Sequence, residues 1–191
     1  MIKKTVVDTK KSFKWIKAIC VAKFDHEIGM IVEKTAPAKA LTDKEASTIA
    51  MLSFPESNCS ENEWEHTFFY RFRRDTKASS LENKAAEEHE YLFGYAYYIQ
   101  RKDVLQPRGY LQRSFVIITP FYFSCFYLNL VQLIGRTYFN TSKIGFLKVF
   151  LLLTFKEVYE NTLTWPSLYP GANCRFHVLA KEFKVNFTFM L

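Results

Sequence analysis

Glycine and proline are scarce here, six of each in 191 residues, about half their usual share. That excludes collagen-like, low-complexity and wholly disordered chains. Cysteine is sparse as well. Cys20, Cys59, Cys125 and Cys174 include no C-x-x-C pair, so no zinc ribbon or thioredoxin-type redox motif is encoded. Three of the four sit among apolar or aromatic neighbours, and we expect buried, reduced core thiols of a cytosolic protein. The four histidines, His26, His66, His89 and His177, show no ligand spacing. There is no P-loop, no G-x-G-x-x-G, no H-E-x-x-H and no nucleophile elbow. The glutamates of 56–65 and 82–90 fall in expected loops and read as solvated faces, not acid/base pairs. No catalytic, cofactor-binding or metal-binding residue is therefore assigned, and no covalent chemistry is expected.

Long hydrophobic runs are missing too. The longest, Val149–Phe155, reaches twelve residues if extended to Ile144 across Lys148, short of the roughly 20 needed to span a bilayer. It reads as a buried core helix. The N-terminal apolar stretch Trp15–Ala22 is broken by Lys17 and lacks a signal-peptide layout. Sequons at Asn58, Asn140 and Asn186 are accordingly read as chance in a cytosolic protein.

What remains is an ordinary globular balance, 49% hydrophobic and 24% charged. A chain this long buries about 70% of its unfolded surface as a single domain. The net charge is +7, but residues 1–24 hold seven lysines against Asp8 and so carry +6 of it. Two readings stand for this basic segment: a tail that only solvates, or a peripheral contact with an acidic membrane.

Trp15–Phe24 and Gly29–Lys34 alternate as strands around the turn Asp25-His26-Glu27. Thr42 and Glu45 form an S/T-x-x-E capping box that opens a helix, ended by Phe54-Pro55. His66–Arg73 is a strand with Phe68, Tyr70 and Phe72 on one face. Residues 75–90 read as an exposed loop with a short helix at Glu82–Glu88. Tyr91–Arg101 is a strand with Phe93, Tyr95, Tyr97 and Ile99 on one face; Gly94 and Ala96, opposite, leave room for a helix. Phe115-Val116-Ile117-Ile118 is apolar on both faces and marks a central strand. Pro120 opens a helix carrying Phe123, Phe126, Tyr127, Leu130, Val131 and Ile134, with Gly135 as its cap. A further helix covers Leu147–Glu160, stopped by Trp165-Pro166. Phe183, Val185, Phe187 and Phe189 alternate as a strand or extended tail. The order ββαβββαα predicts an α+β fold, within the broad α/β class: an antiparallel sheet of about five strands flanked by helices.

Gly94-Tyr95-Ala96-Tyr97 matches the core of an RNA-recognition signature, and exposed tyrosines there would stack bases. Phe93 and Gln100 depart from that signature. A buried aromatic strand face is the preferred reading, and no nucleic acid is expected as a partner.

Several runs resemble one family, in its order. Phe24-Asp25-His26-Glu27-Ile28-Gly29 resembles the F-D-x-E-x-G hairpin that opens the N-terminal lobe of DENN proteins. Leu41–Glu45 and Leu52-Ser53-Phe54-Pro55-Glu56-Ser57 resemble their first helix and its L-S-F-P-D-S exit. Tyr70-Arg71-Phe72-Arg73 is similar to the F-R-F-R strand. Phe93-Gly94-Tyr95-Ala96-Tyr97 and Arg108-Gly109-Tyr110-Leu111-Gln112-Arg113-Ser114 resemble F-Y-G-Y-V-Y-F and R-G-Y-F-Q-K-S. Trp165-Pro166 with Pro170-Gly171 resembles W-P-x-P-x-P-G. The set spans roughly residues 15–185 and is closest to branch six of the family.

The resemblance implies a longin-type upstream DENN lobe at 15–163. A basic tail at 1–14 precedes it, and an extension at 164–191 begins a second lobe missing here. It implies a Rab guanine-nucleotide exchange factor with a partner of the Rab-fourteen kind. The implied setting is cytoplasmic, peripheral to recycling endosomes, with no cofactor in this chain. A stand-alone longin-type adaptor, binding a GTPase or trafficking partner without exchange, is the alternative.

Overall fold

The computed structural model describes residues 15–55, 63–75, 90–141, 148–165, 173–178 and 181–186. Strands β1 (Ala18–Asp25) and β2 (Gly29–Ala36) form the first hairpin. Asp25 shapes its turn: Oδ1 accepts the backbone N–H groups of Glu27 and Ile28 at 3.1 and 3.3 Å. Gly29 then adopts φ +90°, a conformation open to glycine at no steric cost.

Helix α1 (Asp43–Leu52) starts where the capping box places it. The Glu45 N–H donates to Thr42 Oγ1 at 3.1 Å, and the Thr42 N–H donates to Glu45 Oε2 at 3.0 Å. Strands β3 (Glu63–Arg73), β4 (Tyr91–Lys102) and β5 (Tyr110–Thr119) follow. Then come α2 (Ser124–Thr141), α3 (Lys148–Leu163) and a second hairpin, β6 (Asn173–Val178) with β7 (Lys181–Asn186).

The main sheet runs β2-β1-β5-β4-β3, and every neighbouring pair is antiparallel. Strand β5 is its centre, and Phe115, Val116, Ile117 and Ile118 are all fully buried. Helix α1 covers one face through Ile49, against Ala18, Cys20, Phe72, Leu92, Ala96, Val116 and Ile118. The other face takes α2 and α3. Tyr127, Leu130, Val131, Ile134 and Tyr138 pack there on Tyr95, Tyr97, Ile99, Phe115 and Ile117. Each such aliphatic or phenyl side chain contributes about 1.5–3 kcal/mol by leaving water. Trp165, Val178 and Phe183 join this second core, and Trp15 meets Trp165 edge-to-face at 5.7 Å. A five-stranded antiparallel sheet between helices, in the order ββαβββαα before the last hairpin, is a longin-like fold.

Tyr95 and Tyr97 are fully buried under α2, as the preferred reading of that strand expects, and offer no base-stacking surface. Several other expectations are corrected. Gly94 makes room for the Tyr70 ring of the neighbouring strand, not for a helix. Helix α2 begins at Ser124, four residues after Pro120. The Thr119 hydroxyl accepts the Phe121 N–H at 3.1 Å and holds that stretch in a turn. Gly135 is no cap: α2 continues through it, and Tyr138 and Phe139 extend the buried stripe by another turn. Strand β3 starts at Glu63, so Glu63 and Glu65 are strand residues. Cys20 is buried but Cys125 is exposed, and both thiols are free; burial pushes the Cys20 thiol up to about 12. Lys17 and Lys23 leave the basic tail. Lys17 lies 3.9 Å from the buried Glu45, and Lys23 pairs with Asp25 at 3.2 Å. The short helix expected at 82–88 and the tail at 1–14 lie outside the described residues. So do residues 144–147 of the apolar run.

Candidate interaction surface

Among the described residues, no three of His, Cys, Asp and Glu converge as a metal site requires. The sequence assigned no site residues, so the surface is built from where the motif runs fall. Most of their side chains have a structural task.

The two hairpin turns meet at one end of the sheet. Lys23 of β1 lies opposite Arg113 of β5, and Lys102 of β4 opposite Tyr110, which brings turns 25–29 and 103–109 together. The Arg108 guanidinium stacks 4.7 Å above the Phe24 ring and ties them. Asp103 Oδ1 accepts the Leu105 N–H at 3.0 Å, and Gly109 takes φ +74°. Backbone N–H donors at Glu27 and Ile28, together with Lys23, hold the Asp25 carboxyl below its ordinary range. Ile28, Val104 and Leu105 protrude from these turns, largely exposed.

Under α1, Ser53 accepts a bond from Ser114 Oγ at its carbonyl, and its own hydroxyl lies 2.8 Å from the Tyr70 hydroxyl. Desolvation raises the Tyr70 pKa well above its ordinary value. Ser53, Tyr70 and Ser114, from three motif runs, thereby lock α1 to the sheet.

A polar cluster surrounds the C-terminal end of α2. Arg101 donates to the Phe139 carbonyl at 3.4 Å and to Asn140 Oδ1 at 3.0 Å, matching a cation to the negative end of the helix. Glu65 accepts from Arg136 at 3.0 Å and lies 3.8 Å from Arg101. The buried Tyr97 hydroxyl faces Glu65 and Arg136 without reaching hydrogen-bond geometry to either. Desolvation pushes the Tyr97 hydroxyl up to about 12. Burial works to raise the Glu65 carboxyl, but the Tyr97 hydroxyl and the two arginines outweigh it and hold the carboxyl below its ordinary range.

One group of rings stays open to solvent. Phe69 is 41% exposed, Tyr122 56% and Tyr91 39%. The Phe69 ring lies 5.4 Å from Tyr122 and 5.8 Å from Tyr95, and Phe93 lies 5.3 Å from Tyr122. In the run Tyr70-Arg71-Phe72-Arg73, Tyr70 reaches Ser53, Phe72 is buried and Arg73 pairs with Glu90 at 2.8 Å. Arg71 is exposed, lies 4.6 Å over the Tyr91 ring, and meets no carboxylate among the described residues. This aromatic and basic surface lies along β3, an edge strand of the sheet. Sequence reasoning missed it, although the alternation of Phe69, Arg71 and Arg73 on one face was visible.

No family profile matches the chain. It is similar to Dictyostelium discoideum "Protein DENND6 homolog", 29% identical over 170 residues, covering 88% of this chain and 21% of that protein. It is 33% identical to Gallus gallus "Protein DENND6A" over 170 residues, 82% of this chain and 27% of that one. Homo sapiens "Protein DENND6B" is 30% identical over 178 residues, 86% and 29% respectively. With the longin-like sheet and its ordered motif runs, these matches make the chain a relative of the DENN domain-containing proteins. Within that family it stands close to the DENND6 proteins, and it spans less than a third of the length of these relatives.

Proposed function

We propose that this chain is the N-terminal lobe of a DENN-type exchange factor that helps hold a GDP-bound Rab GTPase in endosomal membrane trafficking. The observation that carries this is the similarity to DENND6 proteins over more than four fifths of the chain. DENN proteins generally act as Rab exchange factors.

The mechanism involves no covalent step. A partner accelerates nucleotide release when it binds the nucleotide-free conformation of the GTPase more tightly than the GDP-bound one. Every tenfold shift in that equilibrium requires about 1.4 kcal/mol of differential binding. The nucleotide and its Mg²⁺ belong to the GTPase. The part of this chain is a sheet covered by helices on both faces of its central strands, which keeps its exposed side chains in one arrangement. The finer reading is a Rab of the Rab-fourteen kind at recycling endosomes, with Lys3, Lys4, Lys10, Lys11 and Lys14 resting on acidic lipid.

A second reading is an adaptor that binds a GTPase or trafficking partner without driving exchange. The activity of a whole relative does not pass by similarity to a segment that matches less than a third of it, so this reading stands beside the first. Release of fluorescent GDP from a panel of purified Rabs, with this chain in excess, tests both. Faster release from one Rab establishes exchange, excludes the adaptor and names the substrate. Binding without faster release leaves an adaptor, or a lobe that does not drive exchange by itself. Neither binding nor release refutes both.

A further inference from the structure

We propose that the exposed face of β3, centred on Arg71 with Phe69, Tyr91 and Tyr122, is the surface by which this chain grips its GTPase. The proposal rests on the Rab reading above. Arg71 belongs to one of the motif runs that carry the family resemblance. Its neighbours Tyr70, Phe72 and Arg73 are used inside the fold, as core contact, hydrogen bond or ion pair. Arg71 is not: its guanidinium rests on the Tyr91 ring and meets no carboxylate among the described residues.

Stacking holds the arginine fork flat while leaving its N–H edge free. A group so placed binds a carboxylate with two parallel hydrogen bonds. Around it, aromatic rings stay partly open to solvent: among the described residues, α2 covers the middle of the sheet and meets β3 near Glu65. Aromatic side chains and arginine are the residue types enriched in the energetic centres of protein interfaces. The chemistry of the occupant follows. It is a GTPase face that presents an Asp or Glu flanked by apolar side chains. The protruding turn residues Ile28, Val104 and Leu105 fit this less well, being aliphatic and set beside Glu27 and Asp103.

The test uses this chain and GDP-loaded Rabs in biolayer interferometry, with the Rab bound most tightly taken forward. Arg71→Glu and Tyr122→Ser are compared with Met51→Ser, an exposed position on α1 at the opposite face. Each variant is first shown to melt within two degrees of the unmodified chain. Arg71→Gln, which keeps the side-chain length, replaces Arg71→Glu if the charge reversal fails to fold. The Arg71 and Tyr122 variants are expected to weaken binding at least about tenfold, and Met51→Ser less than about twofold. Removing Arg71 also flattens the salt dependence of the affinity. Unchanged binding by Arg71→Glu, or equal losses in all three variants, overturns the proposal. If the unmodified chain holds no Rab, the functional reading itself fails and takes this surface with it, so the two failures are told apart by the unmodified chain alone.

Discussion

Gly135 lies inside α2, where alanine is ordinarily the better residue by about 1 kcal/mol. Its surroundings reverse that preference. A Cβ added there would run into Cδ1 of Tyr97 and come within 3.0 Å of that residue's Cβ and Cγ. These atoms lie close to the β4 backbone, so no flexible tip can swing aside. The Tyr97 ring is fully buried and stacks on Phe139 at 6.2 Å. Overfilling a packed core of this kind costs about 1–3 kcal/mol. With the ring pinned, we take the upper end, about 3 kcal/mol, and subtract the helix gain of about 1 kcal/mol. Gly135→Ala should then lose about 2 kcal/mol net, a fall in Tm of roughly 4–8 °C for a chain of this size. Thermal unfolding followed by circular dichroism measures it. A double-mutant cycle isolates the cause. In a Tyr97→Ala background the overlap with the ring is gone and only the 3.0 Å approach to the Cβ remains, so the penalty of Gly135→Ala should fall well below about 2 kcal/mol. A Gly135→Ala protein as stable as the native one, or a penalty undiminished without the Tyr97 ring, refutes the reasoning.

Two further outcomes follow from local geometry. Thr42→Ala removes the acceptor of the Glu45 N–H and should cost about 1 kcal/mol, whereas Thr42→Ser should retain most of that; a urea melt compares them, and equal stability of Ala and Ser would sink the capping argument. The Glu65 carboxyl titrates below its ordinary value of 4.5 in the fold. Its share of stability is therefore complete above that ordinary value and lost as pH falls through the lower, folded value. Arg136→Gln should move the Glu65 titration upward in a carboxyl-carbon NMR experiment and lessen the loss of stability in acid. An unmoved titration would mean that Arg136 is not what holds the carboxylate.

The elements that sequence reasoning placed well are those whose signal is local. The Thr42–Glu45 capping box, the Asp25 turn and the two-sided apolar run 115–118 each depend on residues within a few positions of one another. The misplaced features depend on partners far along the chain. Gly135 looked like a helix cap because it follows a buried stripe. What selects glycine there is Tyr97, a ring on a strand that precedes the helix. Gly94 is likewise selected by Tyr70, its direct cross-strand neighbour. Strand β3 begins before the alternation that marks it, because glutamates at its start look like loop. They are tolerated in an edge strand, and Glu65 has Arg101 and Arg136 to pair with. Strand β6 alternates Cys174, Phe176 and Val178 with Asn173, Arg175 and His177, a local signal six residues long that is easily passed over, and it pairs with β7.

The surface proposed for the GTPase escapes the sequence pattern for a different reason. Phe69 and Arg71 point to the same side of the sheet as Tyr95 and Tyr97, the side that α2 covers. By strand period alone, Phe69 belongs to the core. Its exposure comes from the width of the sheet. α2 packs over β4 and β5 and touches β3 at Arg136, which reaches Glu65 near the strand's beginning. Toward the other end the helix gives way to Tyr122 and Phe93, which shield only part of Phe69. An edge strand that keeps a core pattern yet lies beyond its covering helix exposes aromatic side chains without the lysines that commonly blunt such edges. Strand β3 holds no lysine and carries arginines at positions 71 and 73. That choice suits a strand that binds a partner, since an arginine on an aromatic ring repels other edges less than a free ammonium does and recognises a carboxylate better. The same side chains that make β3 a poor edge for a solitary sheet suit it to the contact with a GTPase proposed above.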